Sequence, residues 1–257
     1  MNTLLTLLDE VPKYVRDKDA ENVMKIIFIS VIAALILLVA VISFTNAKSK
    51  FDTRSIVYGG MCVAMSFALS FIKWRLFPNG GSITLISALP LFLYCYTFGV
   101  GKGAVAGTIY GLLQFVEGSF FLTVPQFFLD YIIAFAAICL ASVFKRVFKN
   151  KMASVLCGAL LFSLVRLASH VGAGITVYYA YIDSLTVFPI FGAGGQFPAF
   201  VYSLIYNSFY MIPETIILCV TLAVLVKTKA FHRLTKMMTA HRVQIEPAAA
   251  VDTQNAD

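Results

Sequence analysis

Asp130, Arg166, His170 and Glu214 stand inside stretches otherwise almost free of charge, and Glu117 closes another. In apolar surroundings an ionisable side chain costs free energy unless it is partnered or used, so each is a functional suspect, except that Glu117, at a helix end, needs no special account. Aromatic residues gather near them: Tyr131 beside Asp130, Tyr178 and Tyr179 beyond His170, and Tyr202, Tyr206 and Tyr210 around Asn207. A carboxylate among aromatic faces suits an organic cation. The charges pair, and the rings add a cation–π attraction of about 0.5–2 kcal/mol. An aromatic ligand would stack between the same rings. The residues also have plainer readings. Tyrosines near helix ends form the interfacial belt, and Arg166, four residues from His170 on one face, has a counter-charge to hand in Glu214. A histidine within a span serves equally as a proton carrier or a helix-to-helix hydrogen bond.

The elements that must carry these groups are membrane helices. Of the 257 residues, 60% are hydrophobic and 13% charged, against about 25% charged in soluble domains. Crossing the bilayer core takes about 20 mostly apolar residues. Residues 1–23 are polar and mixed in charge. A run over 24–47 predicts an extra transmembrane helix, too long and too acidic in its leader for a cleaved signal peptide. Six further spans are predicted at about 54–73, 84–99, 103–118, 124–145, 152–181 and 199–226. Pro78 with Gly80-Gly81 separates the first two of these, and the glycine- and proline-rich 188–198 is a loop. Residues 227–257 form a basic, then disordered tail.

Depth draws three polar residues together. Counted from the outer end of its own helix, each of Asp130, His170 and Asn207 lies about 12–17 Å down. Three such groups at one level on three helices predict a shared outward-facing pocket. Orientation follows from the basic residues: Lys145, Arg146, Lys149, Lys151, Lys227, Lys229, Arg233 and Lys236 mark the cytoplasmic side, and 117–124 and 182–198 contain no Lys or Arg. The N-terminus is therefore expected outside and the C-terminus in the cytoplasm of a multi-pass plasma-membrane protein. Lys73 and Arg75 break the pattern, which marks either a miscount or a loop folded over a site. Gly60, Ala64 and Ala68 form a small-residue ridge on which another helix could pack closely.

Several activities find no support. The net charge of +7 sits at the ends of apolar runs, which argues for topology and against nucleic acid. Cys62, Cys95, Cys139, Cys157 and Cys219 lie in apolar runs without a C-x-x-C pair, so neither a disulfide framework nor a metal site is expected. Phe98–Gly103 reads F-G-V-G-K-G, but no Ser or Thr follows Lys102, so there is no phosphate loop. No hydrolase or zinc-protease motif is present, and neither an enzyme nor a resident cofactor is predicted.

Five segments in order resemble one family. Pro78-Asn79-Gly80-Gly81-Ser82-Ile83-Thr84-Leu85 with Pro90, then Tyr110-Gly111-Leu112-Leu113-Gln114, are similar to the thiamine-specific S components (ThiT family) of energy-coupling-factor (ECF) vitamin transporters. So are Pro125-Gln126-Phe127-Phe128-Leu129-Asp130-Tyr131, Arg166 with His170 and Gly174, and Tyr202-Ser203-Leu204-Ile205-Tyr206-Asn207. The resemblance covers about 54–226. It implies an all-α six-helix S-component bundle, here with one extra N-terminal transmembrane helix, that binds thiamine and leaves import to a separate coupling transmembrane subunit and two ATPase subunits. By position it implies a pocket of Asp130, Tyr131, His170, Gly174, Tyr178, Tyr202 and Asn207, and a partner interface at Ala64 and Ala68. Some members carry Glu and Trp where this chain has Asp130 and Tyr178. Tyr202 and Asn207 are about 140° apart on a regular helix, so both reach one pocket only if Tyr202 sits at its entrance. The competing readings are an S component for a thiamine precursor or another vitamin, a proton-coupled secondary transporter using Asp130, Arg166 and His170, and a purely structural membrane subunit.

Overall fold

The computed structural model describes residues 51–75, 81–118, 122–181 and 196–240, excepting the side chains of Arg75, 178–181, 196–199 and Val201. The N-terminal segment, the expected helix at 24–47, most of the 182–198 loop and the end of the tail lie outside the described residues. The remainder is a helical bundle: α1 (Thr53–Ser70), a hairpin of β1 (Lys73–Arg75) and β2 (Ser82–Thr84), α2 (Ala88–Phe98), α3 (Val100–Val116), α4 (Val124–Lys145), α5 (Lys151–Tyr181), α6 (Gln196–Lys227) and α7 (Ala230–Thr239).

The six expected spans correspond to α1–α6. Within α4, α5 and α6, the stretches Val124–Lys145, Lys151–Val177 and Tyr202–Lys227 are long and apolar enough to cross a membrane. The largest departure is α2. A helix was expected from 84, but α2 begins at Ala88 and has 11 residues, about 16 Å of rise against a hydrocarbon core of about 30 Å. Residues before it are drawn into a strand instead, with Trp74 paired to Ile83 and Arg75 to Ser82 in antiparallel register. Ile86 then adopts a left-handed backbone (φ 60) where strand turns into helix, a conformation costly for a β-branched residue. A single residue, Gly99 at φ 91, joins α2 to α3.

Short as it is, α2 is the centre of the core. Leu91, Phe92 and Cys95 are fully buried and Tyr94 and Tyr96 nearly so, enclosed by α1, α3, the latter part of α4, α6 and α7. The basic segment after Lys227, expected only as a tail, contains the amphipathic helix α7. Its Phe231 is fully buried and stands edge-on to Tyr96 at 5.1 Å, while Tyr58 Oη donates to the Met237 carbonyl at 3.4 Å. Lys229, His232, Arg233 and Lys236 stay exposed. Phe231→Ala should therefore destabilise the protein by about 3 kcal/mol, read as a lowered melting temperature, whereas Lys236→Gln should leave it unchanged.

At the same end of the bundle Lys102, largely buried, donates to the exposed Asp52 carboxylate at 2.8 Å. The bonds from Lys102 and Ser55 hold that carboxyl well below the usual carboxylate range.

Candidate ligand-binding site

A cavity of about 180 Å³ lies at the opposite end, where α1 and α3 finish and α4 and α6 begin. Its wall includes Asp130 and Tyr131 from α4, Arg166, His170 and Gly174 from α5, Tyr206, Asn207, Tyr210 and Glu214 from α6, and Gly81 and Thr84 at the two ends of β2 in the hairpin.

The three polar residues expected at one depth meet. His170 Nδ1 lies 2.8 Å from Asp130 Oδ1, and the Asn207 amide donates to the His170 carbonyl at 3.4 Å and the Ser203 carbonyl at 2.8 Å. Tyr210 Oη donates to Asn207 Oδ1, which orients the amide. The other ring nitrogen, His170 Nε2, is buried and has no hydrogen-bond partner among the described residues, an expensive condition for a polar atom. Aromatic rings surround it: Phe135 at 6.5 Å and Tyr210 at 6.3 Å from His170, both steeply inclined. Tyr131 packs edge-on to Phe115 at 5.2 Å.

Gly174 is in the wall as expected. The backbone of Tyr178 continues α5, and its side chain lies outside the described residues. Tyr202 is not among the lining residues; its ring stacks on Tyr206 at 6.1 Å, tilted by 18°, and of these two Tyr206 lines the cavity. The 140° separation from Asn207 is the physical reason. Ala64 and Ala68 lie on the exposed face of α1, and among the described residues nothing beyond the local helix lies within 4 Å of where a Cβ on Gly60 would sit.

Residues 56–233 match the family described as thiamine transporter protein (Thia_YuaJ). The chain belongs to this family. The thiamine transporter ThiT of Bacillus subtilis strain 168 is 34% identical over 161 residues, which are 59% of this chain and 78% of that protein. The solved structure of ThiT from Listeria monocytogenes superposes with a TM-score of 0.56 at 23% identity, over 69% of this chain and 96% of that one. The shared fold is a bundle of helices.

In this family member, part of the wall consists of residues that sequence reasoning named but did not assign to the pocket. Glu117 at the end of α3 pairs with Lys73 and accepts from Ser70 Oγ at 3.3 Å, so the misplaced cation belongs to a hairpin folded over the cavity. Glu214 accepts from the Thr84 backbone N–H at 2.8 Å and from Arg166 at 2.9 Å; the expected Arg166–Glu214 pairing is present and both groups also face the cavity. Gly81 N–H donates to Tyr206 Oη at 3.0 Å. A Lys on the expected outer side, beside a Gly-rich stretch, was the one signal for this cover.

Proposed function

We propose that this chain is the substrate-binding S component of an ECF importer: its cavity takes thiamine, and a separate coupling transmembrane subunit driven by two ATPases completes import. The observation that carries the ligand is the Asp130–His170 pair within an aromatic wall. Thiamine joins a cationic thiazolium to an aminopyrimidine. Asp130 offsets the cation or accepts from the amine, His170 and Asn207 set its orientation, and Tyr131 and Tyr206 provide aromatic faces, Tyr206 backed by the stacked Tyr202; Tyr178 is a further face that the resemblance implies. Gly174 leaves room for close approach. The exposed Gly60–Ala64–Ala68 ridge suits a closely packed coupling subunit.

The basic residues around Lys145–Lys151 and Lys227–Lys236 lie at the end away from the cavity, which supports a cytoplasmic C-terminus and a cavity open to the outside. With the expected helix at 24–47, the N-terminus is also outside.

Calorimetric titration of the purified, detergent-solubilised protein should give tight, saturable thiamine binding. No binding by folded protein would overturn the ligand, and a panel of precursors and other vitamins would follow. Cells should accumulate thiamine only when the coupling module is expressed with this chain, and a proton uncoupler should not directly collapse that uptake. Accumulation by the chain alone, lost with the uncoupler, would establish the proton-coupled reading.

A further inference from the structure

α4 contributes Gln126, Asp130, Tyr131 and Phe135 to the cavity wall, at spacings of four, one and four. A regular α-helix advances about 100° per residue, so Gln126 and Phe135, nine apart, would face opposite ways. They share a wall because α4 passes through a π turn at Phe128–Ile133, where the Ala134 N–H reaches back five residues to the Leu129 carbonyl. Such a turn admits one extra residue into an α-helix. The stripe begun by Gln126 and Asp130 is therefore continued by Tyr131 and Phe135, and two adjacent residues face one cavity.

Neighbouring helices grip this turn from both sides. Ser169 on α5, 5% exposed, donates its hydroxyl to the Leu129 carbonyl at 2.5 Å. The next residue, His170, meets Asp130, so consecutive residues of α5 hold consecutive residues of α4. On the other side the Tyr131 carbonyl presses against Gly111 of α3, where an added Cβ would collide with its oxygen. One turn away, a Cβ on Gly107 would lie 2.5 Å from the Phe135 carbonyl oxygen.

We propose that Ser169 and Gly111 are positioning residues for ligand binding: they clamp the π turn between α5 and α3, and the clamped turn presents Asp130 and Tyr131 together. The binding consequence rests on the cavity being the thiamine site; the clamp itself does not.

The test reads both. The ¹⁵N spectrum of the His170 ring, assigned among the three histidines with a His170→Gln control, reports its bond to Asp130 without any ligand. Ser169→Ala and Gly111→Ala should lose that signature, Ser169→Thr should keep it, and thiamine affinity should fall about tenfold in the first two. Should Gly111→Ala fail to fold, the two Ser169 variants carry the comparison. An unchanged signature in Ser169→Ala overturns the clamp; a lost signature with unchanged thiamine affinity overturns its role in binding. Wild-type protein with the signature but no thiamine binding would sink the ligand instead.

Discussion

Asp130→Ala should weaken thiamine binding by about 100-fold or more while leaving the unliganded protein folded. A hydrogen bond to a charged group contributes about 1.5–3 kcal/mol, and the cation–carboxylate attraction at the half-buried Asp130 adds to it. Since tenfold in affinity corresponds to about 1.4 kcal/mol, two orders of magnitude are a conservative expectation. The loss is compounded because His170 is oriented by the same carboxylate. Asp130→Glu keeps the charge on a longer arm and should lose about tenfold. Titration calorimetry measures the affinities, and a melting curve without ligand confirms folding. Binding by Asp130→Ala within a factor of three of wild type would remove Asp130 from the site.

The second large effect concerns stability. Arg166 and Glu214 are paired at 2.9 Å, with side chains only 15% and 10% exposed, and the guanidinium lies 5.0 Å from the Phe135 ring centroid. Removing one partner of a buried pair leaves a charge uncompensated, at a cost of about 3–5 kcal/mol. Glu214→Ala should reach that range, because it also removes the acceptor of the Thr84 N–H and so unfastens the hairpin. Arg166→Met should cost about as much, but the double replacement Arg166→Met with Glu214→Leu should recover a large part, since neither charge then remains. Thermal melts of the four proteins form the cycle. Additive losses would mean that the two residues do not act as a pair.

The helices were legible because a membrane span is written in length and apolarity, which need no tertiary information. The centre of the site was legible for a related reason: few polar side chains tolerate that depth, so Asp130, His170 and Asn207 stood out and could be levelled against one another. What escaped depends on contacts far apart in the chain. Glu117 looked like an ordinary helix end until Lys73, 44 residues earlier, was found beside it. The strand at Ser82–Thr84 replaced an expected helical start because its hydrogen bonds come from β1 and Glu214. The one-residue slip between Asp130 and Tyr131 has no compositional mark at all; it becomes visible only when the wall they share is known. α7 was hidden by its charges, four exposed basic or imidazole groups masking the buried face of Phe231 and Met238.

The shortness of α2 makes it a ruler. The residues that lead into it, Thr84 and Ser87, line the floor of the cavity, and its far end is pinned to α3 by one glycine. Each added turn would advance the floor by about 5.4 Å, and each turn removed would lower it. Inserting or deleting one turn in this buried helix should thus change the depth of the chamber without any substitution in its walls.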